Sequence, residues 1–286
     1  MRIRERYAIR DRIKVIVILL SLLIFCVNLA CLVSQNSQTE KLATIEKLLQ
    51  TALKPVGSTM YIWGGGWDGE DSGSGEVSTR IGLNPQWKTF AQQQDEAYDF
   101  KEHRYERENG LDCSGFVGWV LYNTFEKEEG QAGYVTSSTD FAESLAGRGW
   151  GRLIKNPRGF VPGDIVSMEG HVWICLGTCE DGSVLLVHSS PPGVSVCGTP
   201  IPKCDVTTEE KKMQDSLSQS MAVALATEYM GNHGSQWQEK YPNRSVSYSY
   251  IENVTVFRWN ESIMSDAKEM QGLSAEEIME ILDRIR

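Results

Sequence analysis

The first pattern along the chain is an uncharged, mostly apolar run from Val15 to Val33. Its nineteen residues would reach about 28 Å as a helix, close to the hydrocarbon thickness of a bilayer. Arg2, Arg4, Arg6, Arg10, Arg12 and Lys14 precede it, and the polar stretch from Ser34 to Thr39 follows. The basic flank predicts a cytoplasmic N-terminus and a body on the far side of the membrane. A cleaved signal peptide would have a shorter apolar core and a small-residue exit, and neither is visible. The expected organisation is therefore a basic tail over 1–14, a transmembrane signal anchor over 15–33 and a short linker over 34–39.

Downstream, Leu42, Ile45, Leu48, Leu49 and Leu53 share one helical face, and Lys54-Pro55-Val56-Gly57 stops that helix. Residues 67–110 read as an acidic, loop-like insertion with Asp71-Ser72-Gly73-Ser74-Gly75 as a flexible spacer. From Cys113 an apolar stripe of Val117, Val120 and Leu121 predicts a second helix. Short β-type runs follow at Ile165–Ser167, His171–Leu176, Val184–His188 and Val194–Val196. The segment from Gly177 to Gly182 reads as the hairpin loop between the second and third. Residues 208–233 read as a helical insertion and Tyr248–Trp259 as strand. The tail from 264 to 286 carries Ser274 and Glu277 at capping-box spacing ahead of Ile278, Ile281, Leu282 and Ile285. Helices followed by meandering strands predict an α+β domain over about 40–263, with N-terminal helices packed on a central antiparallel sheet.

Composition narrows the function classes. The net charge is −10, and the first fourteen residues hold six basic and two acidic side chains, so the body is more acidic still. Such a body repels polyphosphate, which argues against nucleic acid as a partner. Seven cysteines in 286 residues are too sparse for a disulfide scaffold. Cys197 and Cys204 are close enough in sequence to pair or to remain two separate thiols.

Among the cysteines, Cys113 is the best nucleophile candidate. It stands where a loop enters a helix, and the amides and dipole there are expected to lower the thiol pKa. Asp112 and Ser114 lend polar support, and Gly115 permits close packing. A base is needed, and the four histidines are His103, His171, His188 and His233. His171 and His188 bracket the predicted hairpin, with their midpoint between Cys179 and Glu180, so pairing would bring them within about a residue of each other. His171 could then activate the thiol while His188 fixes its orientation and tautomer. His171, Cys175 and Cys179 share fourth-residue spacing, but in a strand that separates ligands by about 13 Å, too far for one zinc ion.

These residues resemble a family. Leu111-Asp112-Cys113-Ser114-Gly115-Phe116, the run from Gly170 to Gly177, and Leu186-Val187-His188-Ser189-Ser190-Pro191 look like the motifs of NlpC-type cysteine peptidases, the papain-like enzymes that cut peptidoglycan stem peptides. Pro162-Gly163-Asp164 resembles the turn before that family's histidine strand, and Tyr61-Ile62-Trp63-Gly64-Gly65 its entry motif. The resemblance spans roughly residues 40–200. It implies a papain-like fold, Cys113 as nucleophile, His171 as base and His188 as the third polar residue. It also implies that the Cys113 N–H helps hold the oxyanion, with Tyr61, Asp112 and Ser114 on the substrate side. The expected partners are peptidoglycan peptides, the membrane through the N-terminal helix, and components of an envelope-spanning assembly. No cofactor and no metal are implied. The long stretches 67–110 and 205–250 depart from the family, and so do Trp173 and Cys175 after the histidine. A catalytically silent wall-peptide-binding module and an acyl transferase or amidase on the same fold stay open as alternatives.

The anchor expectation is checked by fractionation. The full chain expressed in bacteria should sediment with membranes at 32.0 kDa, and external protease on spheroplasts should digest its body. A soluble product about 30 residues shorter would mean that the segment is a cleaved signal peptide.

Overall fold

The computed structural model of the chain describes residues 43–70, 72–155, 157–202 and 220–285, so the predicted tail, anchor and linker lie outside the described residues, as does Cys204. Among the described residues, no helix is long and apolar enough to cross a membrane.

The short apolar runs fold into an antiparallel meander. It consists of β5 (Ile165–Met168), β6 (His171–Thr178), β7 (Val184–Ser190) and β8 (Gly193–Gly198). On one side β9 (Thr255–Trp259) and then β4 (Gly151–Lys155) extend it antiparallel. On the other, β2 (Met60–Tyr61) pairs with β8 and carries β3 (Gly110–Leu111) in parallel. The order across this eight-stranded sheet is β3-β2-β8-β7-β6-β5-β9-β4. Two more strands, β1 (Ala43–Thr44) and β10 (Met264–Ser265), form a separate parallel pair.

Both faces of the meander are buried, which is why its strands read as continuous apolar runs rather than alternating ones. Val172, Ile174, Leu185 and Val187 enter the main core. Trp173, Cys175 and Leu186 enter a second cluster on the opposite face with Phe160 and Val256. A bulge between Cys175 and Gly177 shifts the β6–β7 register by one residue.

Seven α-helices are present among the described residues, so the architecture is α+β with an antiparallel-rich sheet. The first, α1 (Ile45–Leu53), starts where the Thr44 hydroxyl accepts from the Lys47 N–H at 3.0 Å, and buries Ile45, Leu48, Leu49, Ala52 and Leu53. The region 67–110 is more structured than its polarity predicts. It holds α2 (Pro85–Gln93), capped by Asn84 with Pro85 at the first position. Trp87 of α2 is buried edge-on against Trp119 at 5.6 Å. That contact covers the outer side of α3 (Cys113–Phe125), which is therefore buried from Cys113 through Tyr122 instead of presenting one apolar stripe.

A short helix, α4 (Phe141–Gly147), precedes β4. The described part of the late helical region is α5 (Met221–His233), behind a Ser220 cap, and α6 (Ser235–Lys240). Residues 208–219 of the expected helix lie outside the described residues. The expected strand from Tyr248 is also corrected: Tyr248–Tyr250 is a 3-10 turn and Asn253 takes a left-handed φ of 56°, so the strand starts only at Thr255. The capping box forms as expected. The Ser274 N–H donates to Glu277 and the Glu277 N–H to Ser274, opening α7 (Ala275–Ile285). Ile278 and Leu282 of α7 join the main core.

The turn before β5 is held by a buried ion pair. Arg258 on β9 donates to Asp164 twice, from Nε at 2.8 Å and from Nη2 at 2.6 Å. Asp164 is fully buried, and burial pushes its carboxyl pKa up while Arg258 opposes that. The adjacent Trp259 indole donates to the Gly163 carbonyl at 2.9 Å. Breaking a buried pair leaves an uncompensated charge, at a cost of about 3–5 kcal/mol. Arg258→Met should lower unfolding stability by that order in urea titrations. A loss under about 1 kcal/mol would mean that the pair contributes no more than a surface one.

Candidate active site

The start of α3 is built around one carboxylate. Asp112 Oδ1 accepts from the Gly115 N–H at 2.7 Å and from the Ser114 hydroxyl at 2.9 Å, which caps the helix. Its Oδ2 accepts from the Gly64 N–H at 3.2 Å, so the same side chain holds the Tyr61–Gly66 loop against the helix. Ser114 Oγ in turn accepts from the Trp67 indole at 3.0 Å. Backbone packs directly on backbone here: a Cβ at Gly115 would lie 1.9 Å from the Gly65 carbonyl oxygen. Side chains are excluded from this contact, and Cys113 is fixed in the first helical turn. It borders a cleft of about 330 Å³ that Tyr61, Trp63, Trp67, Ser138 and Gly170 also line.

The two histidines stand on one face of the meander. Ile174 pairs with Val187, and continuing that register sets His188 opposite Trp173, two positions from His171. The pair is thus diagonal rather than directly opposed: the register on the turn side would set His188 opposite Ile174, and the one-residue shift between Cys175 and Gly177 moves it to Trp173, which lies on the same face as His171. His171 Nε2 lies 3.0 Å from His188 Nδ1. When His171 donates this bond it keeps Nδ1 as a lone pair, the form a general base requires. The backbone N–H of Val172, the residue after His171, and the Ser138 side chain are near enough to Cys113 to oppose the rise of its thiol pKa. The thiol therefore lies near the entrance of β6, in a cleft that Gly170, the residue before His171, also lines.

Tyr250 completes the group and was not legible in the sequence. Its hydroxyl is 3.4 Å from His188 Nδ1, and its ring centroid is 5.3 Å from that of His171 and 5.6 Å from that of His188. Nothing in its local pattern distinguishes it from a strand tyrosine; only the turn at Tyr248–Tyr250 brings it over the dyad.

The electrostatics correct one expectation. Cys113 is 6% exposed, and burial, followed by the Asp112 charge, pushes its thiol up to about 12 despite the amide and Ser138 hydrogen bonds. Burial also takes His171 down to about 4 and holds His188 well below its usual value, with His171 and Arg244 adding to the latter. The helix start orients the sulfur without ionising it. At neutral pH the pair rests as thiol and neutral imidazole. Asp112 is raised to about 6 by burial, against the pull of its amide and hydroxyl donors.

The remaining expected residues divide. Tyr61 lines the cleft, where burial raises its phenol pKa strongly. Two residues of the insertion brace it: the Tyr98 hydroxyl donates to its carbonyl at 2.7 Å, and Phe100 meets its ring edge-on at 5.4 Å. Asp112 and Ser114 also border the cleft, but their polar atoms are committed to the cap rather than presented to a substrate. His103 stacks on Tyr98 and bonds Glu106, and His233 bonds Asp283, so neither joins the dyad. Cys175, Cys179 and Cys197 are buried free thiols. No protein-family model, curated protein or solved structure matches the chain.

The raised thiol pKa gives a direct test. Alkylation of Cys113 should be slow at pH 7 and rise about tenfold per pH unit between pH 8 and 10, following the thiolate fraction. A rate already at its plateau by pH 8 would mean that the thiolate is preformed.

Proposed function

We propose that the chain is a membrane-anchored cysteine peptidase of papain-like fold that hydrolyses amide bonds in peptidoglycan stem peptides, in the resembled family typically the bond after D-glutamate. The observation that carries this reading is the His171–His188 contact at 3.0 Å, with Cys113 close to the N–H of Val172, the next residue along the same strand. A candidate nucleophile borders the cleft, and a candidate base with a group that orients it stands on the strand that starts beside it.

The chemistry follows from those positions. A substrate carbonyl enters the cleft, and Cys113 Sγ attacks its carbon as the thiol proton passes to His171 Nδ1. The carbonyl oxygen becomes an oxyanion, which the Cys113 N–H can hold because the first amides of a helix have no intrahelical acceptor. His171 then gives the proton to the leaving amine nitrogen, the C–N bond breaks, and a thioester remains. Water, deprotonated by His171, attacks the thioester and releases the acid and the Cys113 thiol. Throughout, His188 Nδ1 accepts the His171 Nε2–H and keeps the imidazole oriented, while Tyr250 covers the pair. No cofactor takes part in this scheme. The anchor would restrict action to the wall near the membrane face.

The full chain in detergent should convert purified muropeptides to products whose masses identify the bond cut and separate hydrolysis from transfer. Cys113→Ala and His171→Ala should each lower kcat by at least about 10³. His188→Ala should be milder, and His188→Asn should recover part of its loss, since an amide oxygen can accept the imidazole N–H. His171 must be neutral to accept a proton, so kcat/KM should fall only as the pH drops through about 4. Turnover by Cys113→Ala equal to wild type would overturn the peptidase reading.

A further inference from the structure

The mouth of the cleft carries a cation that the catalytic scheme does not use. Trp63 lines the cleft with Cys113, yet its ring is 46% exposed. The Arg104 guanidinium lies over that ring, 5.5 Å from its centroid. Arg104 comes from the 67–110 insertion, where acidic side chains outnumber basic ones ten to five. Even so, among the described residues no carboxylate pairs with it. The backbone that presents it is fixed. The N–H of Tyr105 donates to the Trp63 carbonyl at 2.9 Å, and Tyr105 is held at a left-handed φ of 63°. A non-glycine residue keeps that conformation only where its surroundings enforce it. Tyr105 is itself 50% exposed, so the enforced turn buries no anchor side chain, and its result is to set Arg104 on Trp63.

A guanidinium on an indole face keeps its N–H edge directed outward and is restrained in advance. Its planar fork matches a carboxylate. The field of Arg104 reaches the buried phenol of Tyr61 inside the cleft. A chain this acidic repels anionic ligands in general, so a pre-oriented cation at the mouth can select one anionic group at one position.

We propose that Arg104, seated on Trp63, reads a free carboxylate of the peptide in the cleft, so that the enzyme prefers acidic stem peptides over their amidated forms. This rests on the peptidase reading and names a specificity residue for it.

The test uses the full chain in detergent and paired muropeptides in which each carboxylate in turn is converted to a primary amide. At one position, wild type should prefer the free acid by about tenfold in kcat/KM, mostly through KM, as one charge-assisted contact implies. Raising salt should shrink that preference. Arg104→Gln should lose it with kcat within about twofold of wild type, because the residue lies outside the reacting group. Arg104→Lys should keep part of it, and Trp63→Leu should weaken it by freeing Arg104. A wild-type enzyme that cleaves acid and amide forms equally well would overturn the inference and leave the peptidase reading intact. So would Arg104→Gln retaining the full preference. Absence of turnover on every wild-type pair would sink both.

Discussion

One carboxylate organises the cleft end of this molecule. Asp112 caps α3 and, through its second oxygen, clasps the Gly64 amide. The cap and the loop are thereby a single unit. A helix N-terminus normally leaves amides unsatisfied; here those amides fix the distance between the nucleophile and the wall of its own cleft. Gly115 and the glycines of the loop are required because the two backbones touch. Ser114 and Trp67 then tie the insertion to the same point.

The insertion is therefore a structural part of the site as well as its border. Trp87 covers α3 from outside, Tyr98 and Phe100 brace Tyr61, and residues 104–105 reach the cleft mouth. Its acidic surface is the solvated side of a segment whose aromatic residues face inward. That division explains why polarity alone suggested a loop: α2 is only nine residues long, and its buried side is two residues wide.

What the sequence made legible was local. Ser274 and Glu277 cap a helix by chemistry that acts within a few positions, and the apolar runs of the meander needed no partner to be recognised. Cys113, His171 and His188 were identifiable because each sits beside an element boundary that the pattern reveals. Three things depended on packing between distant segments and could not be read. The bulge at Gly177 decides whether His171 and His188 share a face, and Gly177 itself packs against Ala275, nearly a hundred residues later. Tyr250 reaches the dyad from a 3-10 turn that interrupts an apolar, β-like run. The thiol pKa depends on how deeply α3 is buried, which is set by the insertion and not by the helix start.

That last point bears on how such a site can work. Burial raises Cys113 and lowers His171, so each group is driven away from the ion pair that attack on a carbonyl requires. A resting ion pair would bind substrate against a solvated thiolate and gain little as the reaction proceeds. A resting neutral pair separates charge only when the S–C bond forms, when the oxyanion develops beside the Cys113 amide and the imidazolium beside His188. Interactions that strengthen only at that moment lower the barrier without tightening ground-state binding. The low dielectric that opposes ionisation at rest also strengthens those hydrogen bonds once charge appears. The depth of the site and the position of its two histidines are thus one constraint: a shallower Cys113 would ionise more easily, and it would lose the enclosed field in which the His171–His188 contact is most effective.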